Sequence, residues 1–245
     1  MNRLPILHPG RREPFPPVDR ALAEPNGLLA AGGDLSCERL LDAYSQGIFP
    51  WFSQDQSILW WSPEPRTVFD TDGVHVAARL ARWLRQCRWR LSADTAFREV
   101  MIACAAPRAD QGGTWIGEDM LAAYCDLHQR GFAHSVEIRD GESLVGGIYG
   151  VAVGRMFFGE SMFSRATNAS KLALLALCRA LHGWDVPLLD AQMPTSHLSS
   201  LGAYEMPRAM FCERVAQQVA LPAIDDDWNA RIGSIAITDL ARMRA

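Results

Sequence analysis

Residues 133–153 constrain the fold of this chain most strongly. Two runs with a plausible strand pattern, 133–139 and 144–153, flank the dipeptide Asp140-Gly141. Asp-Gly readily adopts the positive φ angles of the tight turn that joins two antiparallel strands. The pattern therefore predicts an antiparallel β-hairpin.

Helix and strand patterns alternate on both sides of this hairpin. Apolar residues recur at helical spacing, and Gly131 and Gly183 provide end signals for two of the helices. The predicted helices cover 75–86, 94–104, 118–130 and 168–182, and the further strands cover 155–160 and 186–190. This order predicts an α+β class with a mixed sheet from about residue 67 onward.

The first 66 residues differ from the rest of the chain in composition and in local sequence pattern. Residues 1–33 are rich in Pro and Gly, which predicts loops and turns, and a short helix is predicted from Ser36 to Gly47. Three tryptophans among prolines then indicate a fixed, partly open surface: Trp51, Trp60 and Trp61. We predict a small N-terminal domain over 1–66 and a larger C-terminal domain over 67–245.

Composition excludes several classes of protein. The 245 residues are 49% hydrophobic and 21% charged, a balance typical of a soluble globular protein. No apolar run reaches the roughly 20 residues of a membrane span, and the first residues lack a signal-peptide pattern, so we expect a cytoplasmic protein. A net charge of −4 argues against indiscriminate binding to nucleic acid.

The segment 79–90 is nevertheless strongly basic. No acidic residue occurs between Gly73 and Ala93, and two tryptophans, Trp83 and Trp89, alternate with the basic residues. The arginines are Arg79, Arg82, Arg85, Arg88 and Arg90. Because solvated helix faces normally mix both signs, contact with a polyanion and plain solvent exposure both remain open.

The segment "DAQMPTSHLSSLGA" follows an apolar strand pattern. In a strand of period two, Asp190 and Gln192 share one face. A carboxylate beside an amide can orient an amine nucleophile and handle its proton, which suits acyl transfer. A serine hydrolase requires a GxSxG-type elbow, which is absent, so His197 is assigned to a short helix that Ser196 caps.

Glu160 ends another apolar strand pattern. Two interpretations remain open: a carboxylate at the mouth of an apolar pocket that holds a cation, and an ion pair with Arg165. The neighbouring "LVGGIYG" lacks the context of a phosphate-binding loop. Its glycines, Gly146, Gly147 and Gly150, predict a close approach of other groups to the sheet.

An ordered set of motifs makes the chain similar, over almost its whole length, to the leucyl/phenylalanyl-tRNA-protein transferase family. The motifs are "EPNGLLAAGGDLS", "YSQGIFPWFS", "ILWWSPEPR", "GTWI", "AHSVE", "LVGGIYGV", "FFGESMFSR", "NASKLALL" and "DAQ...HLSSLGA". The resemblance implies a GNAT-like acyltransferase sheet in the larger domain. It also implies transfer of Leu, Phe and less often Met from aminoacyl-tRNA to proteins with N-terminal Arg or Lys, which marks them for N-degron proteolysis.

The resemblance also implies roles for individual residues. Catalytic roles fall on Asp190, Gln192 and Glu160. The residues implied to bind the 3′-terminal adenosine and the aminoacyl group are Trp51, Trp115, Tyr124, Ile148, Met162 and Leu189. Binding of tRNA falls on the arginines from Arg79 to Arg90. No metal or organic cofactor and no membrane partner are implied, and we expect a monomer.

Two rival functions stay open from the residues. A coenzyme A-dependent acetyltransferase of similar fold requires a pyrophosphate-binding loop before a helix, and the sequence offers none. A noncatalytic tRNA-binding module would use the arginines and tryptophans without labelling a peptide.

Overall fold

A computed structural model describes residues 4–53, 56–106 and 116–243. Within these ranges the strands form two mixed sheets. The smaller sheet has the order β1-β2-β4-β3 and consists of β1 Ile6–Leu7, β2 Leu28–Gly32, β3 Phe49–Pro50 and β4 Leu59–Trp61. The larger sheet consists of β5 Arg66–Asp70, β6 Arg90–Ala93, β7 Ala133–Asp140, β8 Ser143–Val153, β9 Met156–Ser164, β10 Leu188–Gln192 and β11 Tyr204–Met206.

The larger sheet has the strand order β11-β5-β10-β9-β8-β7-β6. Its strands pair antiparallel except for β9 and β10, which run parallel. Parallel neighbours need a crossover connection, and a helix over Ala169–Gly183 supplies it.

Helices cover both faces of the larger sheet. In the described ranges they are α1 Cys37–Ser45, α2 Ala78–Leu84, α3 Phe97–Ala105, α4 Glu118–Gln129, α5 Ala169–Gly183, α6 Ser196–Ser200, α7 Arg208–Val219, α8 Trp228–Gly233 and α9 Ile237–Leu240. One apolar cluster joins the sheet to α2, α5, α8 and α9, and a second joins it to α1, α3, α4, α7 and the smaller sheet. The α+β class, with a small N-terminal part and a larger C-terminal part, is thereby confirmed.

The predicted hairpin is confirmed. β7 and β8 pair from Ala133↔Val151 to Asp140↔Ser143, and Gly141 has the positive φ of 58° that the turn requires. The predicted strand over 155–160 continues to Ser164, and helices lie within all the predicted helical segments apart from shifts of a few residues at their ends.

The sequence interpretation is wrong at one place and missed a strand at another. Residues 1–33 were expected as loops and turns, yet they include β1 and β2, which pair in parallel. The sequence interpretation also contained no strand at the end of the basic segment, whereas Arg90 begins β6. That strand forms because its residues pair with Val136–Arg139 at the edge of the sheet, a tertiary contact that local pattern does not reveal.

The boundary between the two parts of the chain stays a prediction. The expected division at 66/67 falls inside β5. Contacts cross it, because the ring of Tyr44 in α1 packs 5.0 Å from that of Phe158 in β9.

The glycines of β8 allow close packing, as predicted. A Cβ atom on Gly146 would lie 2.5 Å from the Cβ atom of Ala169, the first residue of α5. A side chain at this position would therefore push α5 away from the sheet. No helix in the described part of the chain is long and apolar enough to cross a membrane.

Candidate active site

A cavity of about 860 Å³ opens where β9 and β10 separate. The two strands pair only at Leu189↔Phe157 and Asp190↔Phe158, whereas β9 remains paired with β8 as far as Ser164. Beyond Asp190 the gap between the two strands is therefore free of backbone pairing, and side chains from both line it.

Asp190 lies at the base of this gap. Its side chain is fully buried, and its two oxygens accept hydrogen bonds from Nε and Nη2 of Arg66 at 2.8 and 2.6 Å. Arg66 is equally buried, donates from Nη1 to the carbonyl oxygen of Gly47, and packs against the rings of Phe49 and Phe211. A buried carboxylate and guanidinium in this two-point geometry neutralise each other and fix each other's orientation.

Gln192 follows after a β-bulge. The pairing register of β10 with β5 shifts between Asp190 and Gln192, and Gln192 has a φ of 63°. The expected two-residue alternation is therefore interrupted, because the bulge turns the strand end. Oδ1 of Asp190 accepts the backbone N–H of Gln192 at 2.9 Å, so this carboxylate holds the bulge in place.

Glu160 lies across the gap on β9. Its Oε1 accepts hydrogen bonds from Nε2 of Gln192 and from the hydroxyl of Tyr44, both at 2.8 Å, and its Oε2 accepts one from Tyr124 at 3.1 Å. The alternative ion pair with Arg165 is wrong, because Arg165 donates to the carbonyl oxygen of Leu144 and lies over the ring of Phe163.

The pKa of Glu160 is raised from 4.5 to about 7. Desolvation of the carboxylate is the main cause, and the two tyrosine hydroxyls act in the opposite direction. The residue keeps some surface open to the cavity. A carboxyl group with a pKa near neutrality can bind or release a proton under ordinary conditions.

The number of hydrogen atoms available for hydrogen bonds in this cluster also indicates that Glu160 can carry a proton. The hydroxyls of Tyr44 and Tyr124 contact each other as well as Glu160, which makes three contacts among three groups. With Glu160 ionised, only two hydroxyl hydrogens are available for them. A proton on Glu160 supplies the third. Burial raises the pKa of both tyrosines well above the usual value, so their hydroxyls stay protonated and act as donors.

Most of the predicted apolar pocket lies on the cavity wall. Ile148, Met162 and Leu189 line it as expected, together with Phe69 and Leu174. The lining side chains are thus mainly aliphatic and aromatic, and the polar Glu160–Gln192 pair lies beside them. Such a site fits one apolar group next to a reacting polar group.

The predicted aromatic contacts divide into three cases. Trp51 lines the cavity, is 38% exposed, and packs 5.5 Å from the ring of Trp61. Tyr124 is fully buried and reaches the site only through Glu160. Trp115 lies outside the described residues.

The five arginines of the basic segment are all exposed, and none lines the cavity. Arg79 and Arg82 lie on α2, and Arg85 ends it. Arg90 donates to the carboxylate of Glu142 at 3.0 Å. The rings of Trp83 and Trp89 meet edge to face at 5.0 Å and brace the turn between them.

The sequence interpretation missed Arg66 and Tyr44. An arginine directly before the β-branched and aromatic run 67–69 is a usable signal, because a buried guanidinium requires a carboxylate partner. Tyr44 gave no such signal, since its partner Glu160 is 116 residues away in the chain. The N-cap of α6 was also misassigned: the side chain of Thr195, not Ser196, accepts the N–H of Leu198 at 3.1 Å.

No three His, Cys, Asp or Glu side chains in the described ranges are grouped as a metal site requires. The polar groups beside the apolar wall of the cavity are Glu160 and Gln192, and the buried hydroxyls of Tyr44 and Tyr124 support Glu160 from behind.

Known proteins resemble this chain over nearly its whole length. The family model for the leucyl/phenylalanyl-tRNA protein transferase matches residues 68–216, and the model for its N-terminal domain matches residues 33–64. A leucyl/phenylalanyl-tRNA--protein transferase of Xanthomonas campestris pv. campestris (strain B100) is 58% identical over 240 residues, covering 98% of this chain and 96% of the relative. Proteins of the same name from Xanthomonas euvesicatoria pv. vesicatoria and Nitrosomonas europaea are 55% and 57% identical, covering 99% and 88% of this chain and 98% and 91% of the relatives. The chain belongs to the leucyl/phenylalanyl-tRNA protein transferase family.

Proposed function

We propose that this protein transfers Leu, Phe and less often Met from aminoacyl-tRNA to the N-terminal Arg or Lys of acceptor proteins. The reaction forms a peptide bond and marks the acceptor for N-degron proteolysis in the cytoplasm. The observation that carries the proposal is the 2.8 Å hydrogen bond from Gln192 to Glu160, which spans the gap between β9 and β10 beside an apolar pocket.

The donor is already activated as an ester, so the protein mainly has to position it. Ile148, Met162 and Leu189 receive the apolar side chain of the donor amino acid. A pocket of this kind selects by fit and desolvation and gives preference rather than absolute selection. Trp51 stacks on the terminal adenosine, and Trp115 is assigned the same role by resemblance.

The acceptor approaches from the polar side of the cavity. Glu160 in its ionised form attracts the cationic N-terminal residue, and the side-chain carbonyl of Gln192 orients the α-amine. Asp190 acts through Gln192, because its oxygens are already occupied by Arg66 and by the backbone of Gln192. It is a positioning residue in this proposal.

The chemical step balances without a cofactor. The amine nitrogen attacks the ester carbonyl carbon, the bond from that carbon to the ribose oxygen breaks, and a C–N bond forms. The proton lost by the amine leaves with the ribose oxygen, which departs as a hydroxyl group of the tRNA. Gln192 and Glu160 lower the barrier by holding the amine against the carbonyl.

The direct test combines the protein, leucyl-tRNA and a peptide that begins with Arg. We expect the peptide mass to increase by one leucine residue. Matched peptides that begin with Glu or with N-acetyl-Arg should gain none, and Gln192→Ala should slow the transfer strongly. Acetyl transfer from acetyl-coenzyme A would instead support the rival acetyltransferase, and tRNA binding without peptide labelling would support a noncatalytic module.

A further inference from the structure

A second polar feature lies at the end of the cavity where β9 leads into α5. We call it the basic rim and define it as Arg165, Lys171 and His197. Arg165 and His197 line the cavity directly. Lys171, the only lysine of the chain, is half-buried beside Ser170, which also lines the cavity.

The cations of the basic rim lack acidic partners. No carboxylate oxygen of the described residues lies within 4.0 Å of the side-chain nitrogens of Arg165 or Lys171. The pKa of His197 is lowered, first by partial burial and then by the charge of Lys171, which places these two side chains in one local field. Positive charge therefore gathers here without being neutralised by the protein.

Ser170 supplies a hydroxyl group at the same end of the cavity. The residue is only 9% exposed and lines the cavity, and its hydroxyl oxygen is not among the buried side-chain atoms left without a partner, so it is open to the cavity. No described residue forms a hydrogen bond with this hydroxyl, so it is available to a ligand. The turn before it is fixed, because the hydroxyl of Ser164 accepts the backbone N–H of Ser170 at 3.3 Å and donates to the carbonyl oxygen of Ala166 at 2.8 Å.

The chemistry of the basic rim selects an anion with several acceptor oxygens. Arg165, His197 and the hydroxyl of Ser170 line this end of the cavity, and the charge of Lys171 acts on His197. The 15-residue helix α5 begins here, and its N-terminus adds partial positive charge. A cationic acceptor residue would be repelled from this end and attracted to Glu160. The donor substrate, in contrast, has one negative charge for each nucleotide.

We propose that the basic rim and Ser170 bind a backbone phosphate of the 3′-terminal nucleotides of the aminoacyl-tRNA. The inference rests on the proposed function, since it assigns a contact to the same donor. The cavity then has two ends of opposite charge, and this polarity separates the anionic donor from the cationic acceptor. The arginines of 79–90 are on the outer surface and are not part of this contact.

The test uses two unreactive donor analogues that differ in phosphate content. One is 3′-leucylamino-3′-deoxyadenosine, which has no phosphate, and the other carries the same group at the end of a CCA trinucleotide. The variants are Lys171→Gln and Ser170→Ala, and the control is Arg179→Gln, an exposed cation eight residues further along α5, about 12 Å away. Dissociation constants are measured by calorimetry at several salt concentrations.

We expect Lys171→Gln to weaken binding of the trinucleotide about tenfold and to reduce its salt slope by about 0.7, the value for one phosphate on a single strand. Ser170→Ala should weaken the same ligand several-fold, and neither variant should affect the phosphate-free analogue. Arg179→Gln should match the wild type with both ligands.

Equal losses with both analogues would assign Lys171 and Ser170 to the shape of the pocket and overturn the proposal, as would unchanged affinity for the trinucleotide. The binding measurements with these unreactive analogues do not depend on catalytic activity. If the wild type binds both analogues but fails to leucylate a peptide, the proposed function fails while the phosphate contact is still decided.

Discussion

The guanidinium of Arg66 and the carboxylate of Asp190 form two hydrogen bonds, Nε to Oδ1 at 2.8 Å and Nη2 to Oδ2 at 2.6 Å, with both side chains wholly inaccessible to solvent. The pair joins β5 to β10, which are adjacent in the larger sheet. Since the same Oδ1 also accepts the N–H of Gln192, the pair connects stability of the fold to the position of a predicted catalytic residue.

Removal of one partner should therefore be costly. Asp190→Ala leaves a buried, unpaired guanidinium and should lower the free energy of unfolding by about 3–5 kcal/mol. Replacement of both charges, as in Arg66→Met with Asp190→Leu, should recover much of this loss. Urea denaturation of the single and double variants measures both effects.

Transfer activity separates the two roles of Asp190. The double variant should fold but remain inactive, because the N–H of Gln192 loses its acceptor and the bulge loses its support. A double variant with near wild-type transfer would show that Asp190 serves only to neutralise Arg66, and the positioning role would have to be abandoned.

Glu160 should make stability depend on pH in an unusual direction. The pKa of Glu160 is about 7 in the folded protein, whereas its ordinary value, which applies to the unfolded chain, is 4.5. At a pH between these two values the folded state retains a proton that the unfolded state has lost. The stability that this proton contributes is present at the low end of this interval and is lost as pH rises through it. We expect roughly 2 kcal/mol, less than the full shift would give because Glu160 is partly exposed.

The measurement compares wild type with Glu160→Gln from pH 5 to pH 8. The variant imitates the protonated acid, so its stability relative to wild type should increase as pH rises. Glu213→Gln, a change of an exposed residue on α7, is the control and should show no such trend. Parallel curves for wild type and Glu160→Gln would contradict the raised pKa.

Tyr44 should tune the ionisation of Glu160. Its hydroxyl donates to Oε1 and lowers the pKa of that carboxyl, so Tyr44→Phe should raise the pKa further. If the ionised carboxylate attracts the acceptor, the rising limb of the pH–rate profile for peptide leucylation should then move to higher pH.

Tyr149→Phe is a close control for this change. Tyr149 is equally buried and its ring packs 6.0 Å from that of Tyr124, but its hydroxyl has no hydrogen-bond partner among the described residues. It should leave the pH profile in place and cost little stability. Equal shifts in both variants would mean that packing, and not the hydroxyl of Tyr44, sets the profile.

The sequence pattern was most informative where local rules decide the structure. The turn at Asp140-Gly141 and the apolar repeat of α5 were sufficient to locate the central hairpin and the crossover helix. The strand β6 escaped prediction because Arg90 and its neighbours become extended only through pairing with β7. Edge pairing of this kind is a tertiary effect that overrides local propensity.

The candidate site was predictable in part for the same reason. The spacing of Asp190 and Gln192 indicated a polar strand end, but the bulge that aims Gln192 at Glu160 depends on a backbone hydrogen bond to Asp190. The contacts of Tyr44 and Arg66 join segments more than 100 residues apart. Long-range partners of single polar residues leave no periodic signal in one sequence.

Met162 should determine how large a donor side chain the pocket accepts. It lines the cavity and is only half-buried, so Met162→Ala enlarges the pocket at a modest cost in stability. We expect kcat/KM for phenylalanyl-tRNA relative to leucyl-tRNA to rise roughly tenfold, since one or two methylene-sized groups decide such preferences. Met210→Ala, at a 48% exposed position on α7, should not change the ratio.

The exposed arginines of α2 provide a test of tRNA binding outside the cavity. Arg82 and Arg85 are exposed and have no carboxylate within 4.0 Å among the described residues, so their charges are available to phosphates. Replacement of both by Ala should weaken tRNA binding and reduce the slope of log Kd against log salt by about 1.4 to 1.8, the value for two phosphate contacts. Transfer from a short aminoacyl-CCA donor should be unaffected, because neither arginine lines the cavity that receives this donor. Arg20→Ala combined with Arg214→Ala removes the same charge from exposed positions outside α2 and should change the slope far less. Equal slopes for the two double variants would show that α2 contributes only net charge, and the basic segment would then be an ordinary solvated surface.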